Sequence, residues 1–326
     1  MQIKISNNLN TKPYFWYLYR SLKKQQSDGK AQLTTFKNEY FDEPYVELIY
    51  IDNKPLLFDL RDDHTLSESY NGLFDNNYIL FKSNYSNELW DNPPNDFPYR
   101  VQEWGHSIRD KIVPFAYGRS FNLSTDTDEF EVYKDCQNSI RYELVSFSGA
   151  GITELQTYSR LSTYELLKNT LGDKCNLIFT DKAHFRNKTP EYLERIKQFE
   201  GASCQGLMNY FFFISRGKYV LNFPGICLSQ PFRFCDAVLM NRGVISTKIW
   251  QEAWKTFPCI ELSDICGYMG FNESQNNVNK TLVDLINDTD YVILLKEQRE
   301  WYEKYLSAEG MFENQILKGI KNDSRI

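Results

Sequence analysis

Histidine is scarce in this chain, with three residues in 326. His64, His106 and His184 stand far apart, so imidazole enters as single candidates, and a lone histidine is more often structural than catalytic. Cysteine is equally uninformative as a scaffold. The seven are odd in number and contain no C-x-x-C pair, which excludes a zinc knuckle and points to free thiols in a reducing compartment. No apolar run approaches the roughly 18 residues of a membrane span, and the N-terminal MQIKISNNLNTKPYFWYLYRSLKK has no apolar core of a signal peptide. The expected location is therefore the cytoplasm. An excess of positive charge is missing too. Lys and Arg number 37 against 43 Asp and Glu, for a net charge of −6, which argues against a nucleic-acid partner, whose phosphates need a basic surface. A Walker lysine is absent, and the G-x-G at Gly149–Gly151 lacks the dinucleotide spacing.

What is present is ample material for packed cores. Hydrophobic residues make up 42% of the chain and aromatics 16%, and the length suits two domains. Most of the 22 Tyr and 23 Phe are expected in those cores, although aromatic faces also stack on sugars. Met1–Ile5 alternates as a strand. Pro13–Lys24 reads as an amphipathic helix whose aromatic face belongs in the core, with peripheral association at a membrane surface as the second reading. Tyr45–Tyr50 and Leu56–Asp59 read as strands around a turn at Asp52–Pro55, and Tyr78–Lys82 and Lys111–Pro114 as two more. Leu144–Phe147 opens the next set, with a glycine turn at Ser148–Gly151 and a helix at Thr157–Thr170. Cys175–Thr180 is a strand, Pro190–Glu200 and Gln205–Ser215 are helices, and so are Trp250–Lys255, Asn276–Ile286 and Tyr291–Glu309. Cys259–Leu262 is the last strand. Sequons such as Asn84-Tyr-Ser and Asn187-Lys-Thr are as expected of an Asn-rich chain.

The stretch that organises the rest is Ser215–Ile249, SRGKYVLNFPGICLSQPFRFCDAVLMNRGVISTKI. Tyr219–Phe223 is a buried strand stopped by Pro224-Gly225. Ser229 or Gln230 caps the following helix, Pro231 suits its first turn, and Asn241-Arg242-Gly243 ends it, with the glycine as C-terminal cap. In an open α/β sheet, ligands bind beyond the carboxyl ends of the strands, where helix N-termini offer N–H groups to anions. The run Lys218-Tyr-Val-Leu, Pro224-Gly, Ser229-x-Pro-Phe-Arg233-Phe-x-Asp236-Ala and Gly243-Val-Ile resembles the sugar-nucleotide half of GT-B glycosyltransferases. It is most similar to exostosin-type and to bacterial or viral polysaccharide glycosyltransferases. Such bacterial enzymes also show an "FD-x-x-D" followed by a strand and "FK", matched here by Asp59, Asp62 and Phe81-Lys82.

That resemblance implies an α/β protein of two Rossmann-like domains facing a cleft, with C-terminal helices crossing back to the N-terminal domain. The divisions expected are 1–137 for an acceptor domain, 138–295 for a nucleotide-sugar domain and 296–326 for the returning helices. It implies donor contacts at the matching positions Ser229, Arg233 and Asp236; the glycine loop at Ser148 and Gly149, together with Arg160 and Lys218, adds candidates by its own chemistry, with guanidinium groups neutralising a departing diphosphate. Asp62, Asp63 and His64, at the end of a strand, are the candidates for the base that deprotonates the acceptor. The implied substrates are a nucleotide-sugar and a glycan or lipid-linked saccharide, with no metal and no further cofactor, in the synthesis of surface polysaccharide or glycan. Two other readings stand beside it. One is a nucleotide- or glycan-binding protein without catalysis. The other is a metal-dependent GT-A enzyme using Asp126 and Asp128, although the polar residues before them read as a linker rather than the apolar strand that chemistry requires.

Overall fold

A computed structural model of the chain describes residues 1–38, 43–70, 77–93, 101, 103–118, 128–139, 143–151, 154–181, 189–199, 207–223, 233–262 and 275–322. Two β-sheets organise it. The first has the order β2-β1-β3-β4-β5-β6, with β1 (Gln2–Ser6), β2 (Gln32–Phe36), β3 (Val46–Ile51), β4 (Lys54–Asp59), β5 (Ile79–Lys82) and β6 (Ile112–Pro114). Antiparallel pairing is confined to β1 with β3 and β3 with β4; β1–β2, β4–β5 and β5–β6 are parallel. The second sheet is wholly parallel, in the order β11-β10-β9-β7-β8. Its strands are β7 (Glu143–Gly151), β8 (Cys175–Asp181), β9 (Gly217–Asn222), β10 (Gly243–Ser246) and β11 (Ile260–Glu261). Counted within that sheet, this is the doubly wound 2-1-3-4-5 order, whose switch point lies between β7 and β9.

The helices follow in chain order. Around the first sheet are α1 (Trp16–Ser27), α2 (Asn87–Asp91), α3 (Glu103–Ser107), α4 (Glu129–Val132) and α5 (Lys134–Gln137). With the second sheet come α6 (Glu154–Leu171), α7 (Pro190–Lys197), α8 (Leu207–Ser215), α9 (Arg233–Leu239) and α10 (Gln275–Asp288). The chain closes with α11 (Tyr291–Tyr305), a short turn, a π-helical turn at Met311–Leu317 and a last turn at Lys318–Lys321.

Alternation along the strands explains the layers. In β4 and β5, Leu56, Phe58, Ile79 and Phe81 face one core while Leu57 and Leu80 face another. In β9, Val220 joins the first of these cores, and Tyr219 and Leu221 turn to the helices on the far side of the second sheet. The first core thus runs continuously from α1 and the first sheet to α8 and α9. Trp301, Met311, Phe312 and Ile316 belong to it, and Gly319 lies so close to Phe81 and Val113 that a Cβ would stand 2.8 Å from the Phe81 ring. The C-terminal helices therefore return to the N-terminal sheet. Two α/β units with such a return are the GT-B arrangement expected above.

Several details differ from expectation. Strand β2 was not foreseen, because QLTTF is mostly exposed and shows no clean apolar alternation. The supposed glycine turn at Ser148–Gly151 is strand, paired along its length with β8. Trp250–Lys255 is a series of turns rather than a helix. The left-handed residue ending α9 is Asn241, with φ of 54°. Gly243 is instead required by packing, since a Cβ there would lie 2.6 Å from the Tyr219 ring. The turn between β3 and β4 is two residues, Asp52 and Asn53, both with positive φ, as the tight hairpin geometry demands. The aromatic face of α1 is core, with Trp16, Tyr17 and Leu18 buried. Asn84 is 2% exposed, so its sequon is a packing residue. No described helix is long and apolar enough to cross a membrane.

Candidate functional site

The switch point between β7 and β9 brings two arginines close together. Arg160 projects from α6, the helix after β7, and Arg233 opens α9, the helix after β9. Arg160 is 4% exposed. Burial pushes its pKa down to about 9, and the neighbouring charge of Arg233 adds to that depression. The Arg233 guanidinium lies over the Phe147 ring of β7, 4.7 Å from its centroid, and its Nε is buried with no hydrogen-bond acceptor among the described residues. Phe147 in turn meets Tyr164 and Phe223 edge-on at 5.5 and 5.2 Å. Two guanidinium groups are thus brought together on an aromatic floor, at the carboxyl edge of a parallel sheet. Bringing like charges together in a buried place is unfavourable by itself. It becomes favourable when an anion with several oxygens binds between them.

Around this pair the sequence candidates separate. Asp236, on the first turn of α9, is 1% exposed. Ser148 and Gly149 lie in β7, on the same carboxyl-edge half of the strand. Ser229 lies outside the described residues. Lys218 is a correction: it sits at the amino end of β9, at the opposite edge of the sheet, with its ammonium 4.5 Å from the Tyr291 ring centroid. A diphosphate held at the carboxyl edge is out of its reach. The carboxyl ends of β9 and β10 are tied by Asn222 Nδ2 donating to Ser246 Oγ at 3.0 Å.

On the N-terminal side the three candidates for the acceptor base lie in different surroundings. Asp62 is exposed, and its charge is felt by Tyr117, whose hydroxyl is pushed well up, first by burial and then by Asp62. Tyr117 follows β6, and its carbonyl receives the Cys235 thiol of α9 at 3.9 Å. Asp63 accepts a hydrogen bond from Thr65 Oγ1 at 2.9 Å. His64 is 0% exposed, with its carbonyl held by Trp90 Nε1, which places its imidazole inside the protein rather than against an acceptor. His106 is exposed and meets Trp90 edge-on, and His184 lies outside the described residues.

Asp59 and Lys82 are likewise interior. Asp59 accepts from Lys82 Nζ at 3.0 Å and from the Arg61 guanidinium at 2.7 and 3.0 Å. Burial works to raise its pKa, yet Lys82 and Arg61 outweigh it and hold the carboxyl below the usual range. Lys82, of the Phe81-Lys82 match, is consumed by this pair. The pair pins the ends of β4 and β5 from which Asp62 emerges. The loop carrying Tyr117 is pinned from the other side. Gln315, in the π-helical turn, accepts from Ala116 N at 2.7 Å and donates to Ala116 O at 3.0 Å. Sequence reasoning missed Tyr117 and Gln315. The strand-ending Pro114 signalled the first, and nothing local signalled the second.

The two units also meet directly near the carboxyl edge of β10. Gln251 Nε2 donates to Asn84 Oδ1 at 2.7 Å, Glu252 accepts from Asn87 N at 2.9 Å, and Lys248 pairs with Glu88. Of the residues proposed for GT-A chemistry, Asp126 lies outside the described residues. Asp128 caps α4 by accepting from Phe130 N. Among the described residues no cluster of three or more His, Cys, Asp or Glu could hold a metal ion.

No protein-family model matches the chain, and none of the curated proteins matches it in sequence. Similar solved structures exist. AviGT4, a glycosyltransferase involved in avilamycin A biosynthesis, is 9% identical over 96% of this chain and 90% of its own, with a TM-score of 0.47. An α1,3-fucosyltransferase is 14% identical over 99% and 90%, at 0.41. A UDP-N-acetylglucosamine 2-epimerase, so titled, from Listeria monocytogenes is 12% identical over 99% and 96%, at 0.42.

Proposed function

We propose that this chain is a glycosyltransferase that takes a sugar from a nucleoside-diphosphate donor and passes it to a saccharide acceptor. The observation that carries this reading is the Arg160–Arg233 pair at the switch point of the parallel sheet. A diphosphate is the group that two converging guanidinium forks suit, and the crevice at a switch point is where such sheets bind nucleotides. As the bond between sugar and diphosphate breaks, negative charge grows on the leaving oxygens. Cations already in position stabilise that charge more than they stabilise the bound donor, so they lower the barrier. Asp236 then serves a ribose or sugar hydroxyl, and Asp62 takes the proton of the acceptor hydroxyl. Asp59, Lys82 and Gln315 hold the two loops from which Asp62 and Tyr117 reach the cleft.

The test is release of nucleoside diphosphate from a panel of UDP-, GDP- and TDP-sugars and of CMP from CMP-sugar, with and without oligosaccharide acceptors, in the presence and absence of EDTA. Turnover by the wild type and at least a hundredfold loss in a folded Arg233→Ala variant are expected. Thermal stabilisation by a nucleotide without any turnover would move the reading to a nucleotide-binding protein.

A further inference from the structure

The loop that carries Asp62 is held from both units of the protein. Arg61 is tied to Asp59, Asp63 to Thr65 and the His64 carbonyl to Trp90, all within the first unit. The Asp62 carbonyl leads out of it. It accepts from Asn84 Nδ2, and Asn84 Oδ1 accepts in turn from Gln251 Nε2 at 2.7 Å. Asn84 follows β5, and Gln251 follows β10 of the second sheet. An amide donates and accepts at once. Asn84 can therefore pass a single directed chain, from Gln251 through Asn84 to Asp62, in which each bond polarises the next. Both amides are interior, at 2% and 1% exposed, so a bond lost here is not readily replaced by water.

The neighbouring contacts do a different job. Glu252 N donates to the Tyr85 carbonyl at 2.9 Å, and Asn87 N donates to the Glu252 carboxylate at 2.9 Å. Lys248 pairs with Glu88. These bonds fasten residues 248–252 against 84–88, and none of them touches the 61–64 loop. The Asn84 amide is what carries that docking on to Asp62. The arrangement matters because the reaction proposed above divides its parts between the units. The donor is held by arginines of the second, and the acceptor proton is taken by a carboxylate of the first. A misplacement of about 1 Å between reacting groups can cost on the order of a hundredfold in rate.

We infer that Asn84 and Gln251 are positioning residues for sugar transfer, setting the Asp62 loop of one unit against the unit that holds the donor. The catalytic consequence rests on the transferase reading; the relay itself does not. Two measurements on the full chain separate them. The first is steady-state transfer with the donor and acceptor that the wild type turns over. Asn84→Ala and Gln251→Met should each lower kcat at least about tenfold, with the donor KM held within about twofold. The double variant should be no slower than Asn84→Ala, since the two act in one chain. Glu252→Ala, which loosens the same contact without breaking the relay, should keep the wild-type kcat. The second is amide NMR without any ligand. The Asp63 N–H shares a peptide group with the Asp62 carbonyl, so its resonance reports the bond from Asn84. It should move in the same direction in Gln251→Met as in Asn84→Ala, and stay in place in Glu252→Ala. The inference is overturned if kcat is unchanged in the folded single variants, if Glu252→Ala slows transfer as much as Gln251→Met, or if the Asp63 resonance ignores Gln251→Met. A wild type that transfers no sugar defeats the transferase reading and the catalytic role with it, and the Asp63 resonance then decides the relay alone.

Discussion

Replacing Arg233 with methionine should relieve the like charge beside Arg160 in the empty protein while removing its affinity for a diphosphate. Arg160 is buried, and its pKa is pushed down to about 9 by that burial and by Arg233. Each tenfold loss of proton affinity is about 1.4 kcal/mol of penalty on the charged native form. Taken over the whole displacement this gives an upper bound of several kcal/mol, and relaxation with a high effective permittivity reduces it to about 1–3 kcal/mol. Methionine keeps the straight chain and removes the charge. Arg233→Met should therefore raise the melting temperature of the unliganded protein by about 2–4 °C for each kcal/mol recovered, and Arg160→Met is compared for its nucleotide shift alone. A nucleoside diphosphate at 100 times its dissociation constant stabilises the wild type by about 2.7 kcal/mol, and this shift should vanish in either variant. The measurement is a pair of thermal melts, empty and with UDP, GDP, CDP or TDP. Variants that melt lower than the wild type when empty, yet keep the nucleotide shift, would refute the reasoning and make the arginines structural.

Other outcomes follow from the supports of the site. Asp59→Asn leaves Lys82 and Arg61 facing an uncharged partner and should cost about 3–5 kcal/mol in urea denaturation. Because the native Asp59 carboxyl titrates below its usual value, its stabilisation is present above pH ~4 and lost as pH falls further. Gln315→Ala breaks the paired amide contact with Ala116 and should cost about 1–3 kcal/mol, with slower hydrogen exchange protection at Ala116–Gly118 lost first. Tyr17 and Tyr302, hydrogen-bonded at 2.9 Å and both pushed well up by burial, should make the fold fail as pH rises above ~10, where unfolded tyrosine ionises. Tyr17→Phe should soften that alkaline transition followed by tyrosine absorbance. Arg242 donates to the Ser215, Gln137, Met240 and Cys136 carbonyls, so Arg242→Met should destabilise strongly, by more than about 3 kcal/mol.

The parallel sheet was readable because its strands are short apolar runs between Gly, Pro and polar breaks, as at Tyr219–Phe223 and Cys175–Thr180. The same punctuation placed Arg233 and Asp236 on a helix after a strand, which is why they fell at the carboxyl edge. Lys218 was misplaced by the same logic. It is near Arg233 in sequence, yet a strand of six residues separates the two edges. His64 stood among the base candidates because a loop at a strand end is a plausible place for one. Lys82 is held inside by Asp59, and the register that does so is set by the β4–β5 pairing, Asp59 opposite Lys82, which no local pattern shows. Gln315 lies 199 residues from Ala116, a separation beyond any periodicity. The short exposed β2 carries too little apolar signal to be seen before the fold supplies its partner.

The most direct measurement is calorimetric titration of UDP, GDP, CDP and TDP into wild-type protein and into the Arg160→Met/Arg233→Met double variant, with EDTA throughout. Saturable binding of at least one of them to the wild type, weakened at least a hundredfold in the double variant while the protein stays folded, is the result predicted. Binding of equal strength to both proteins, or to neither, would contradict the claim that the two arginines form a diphosphate site.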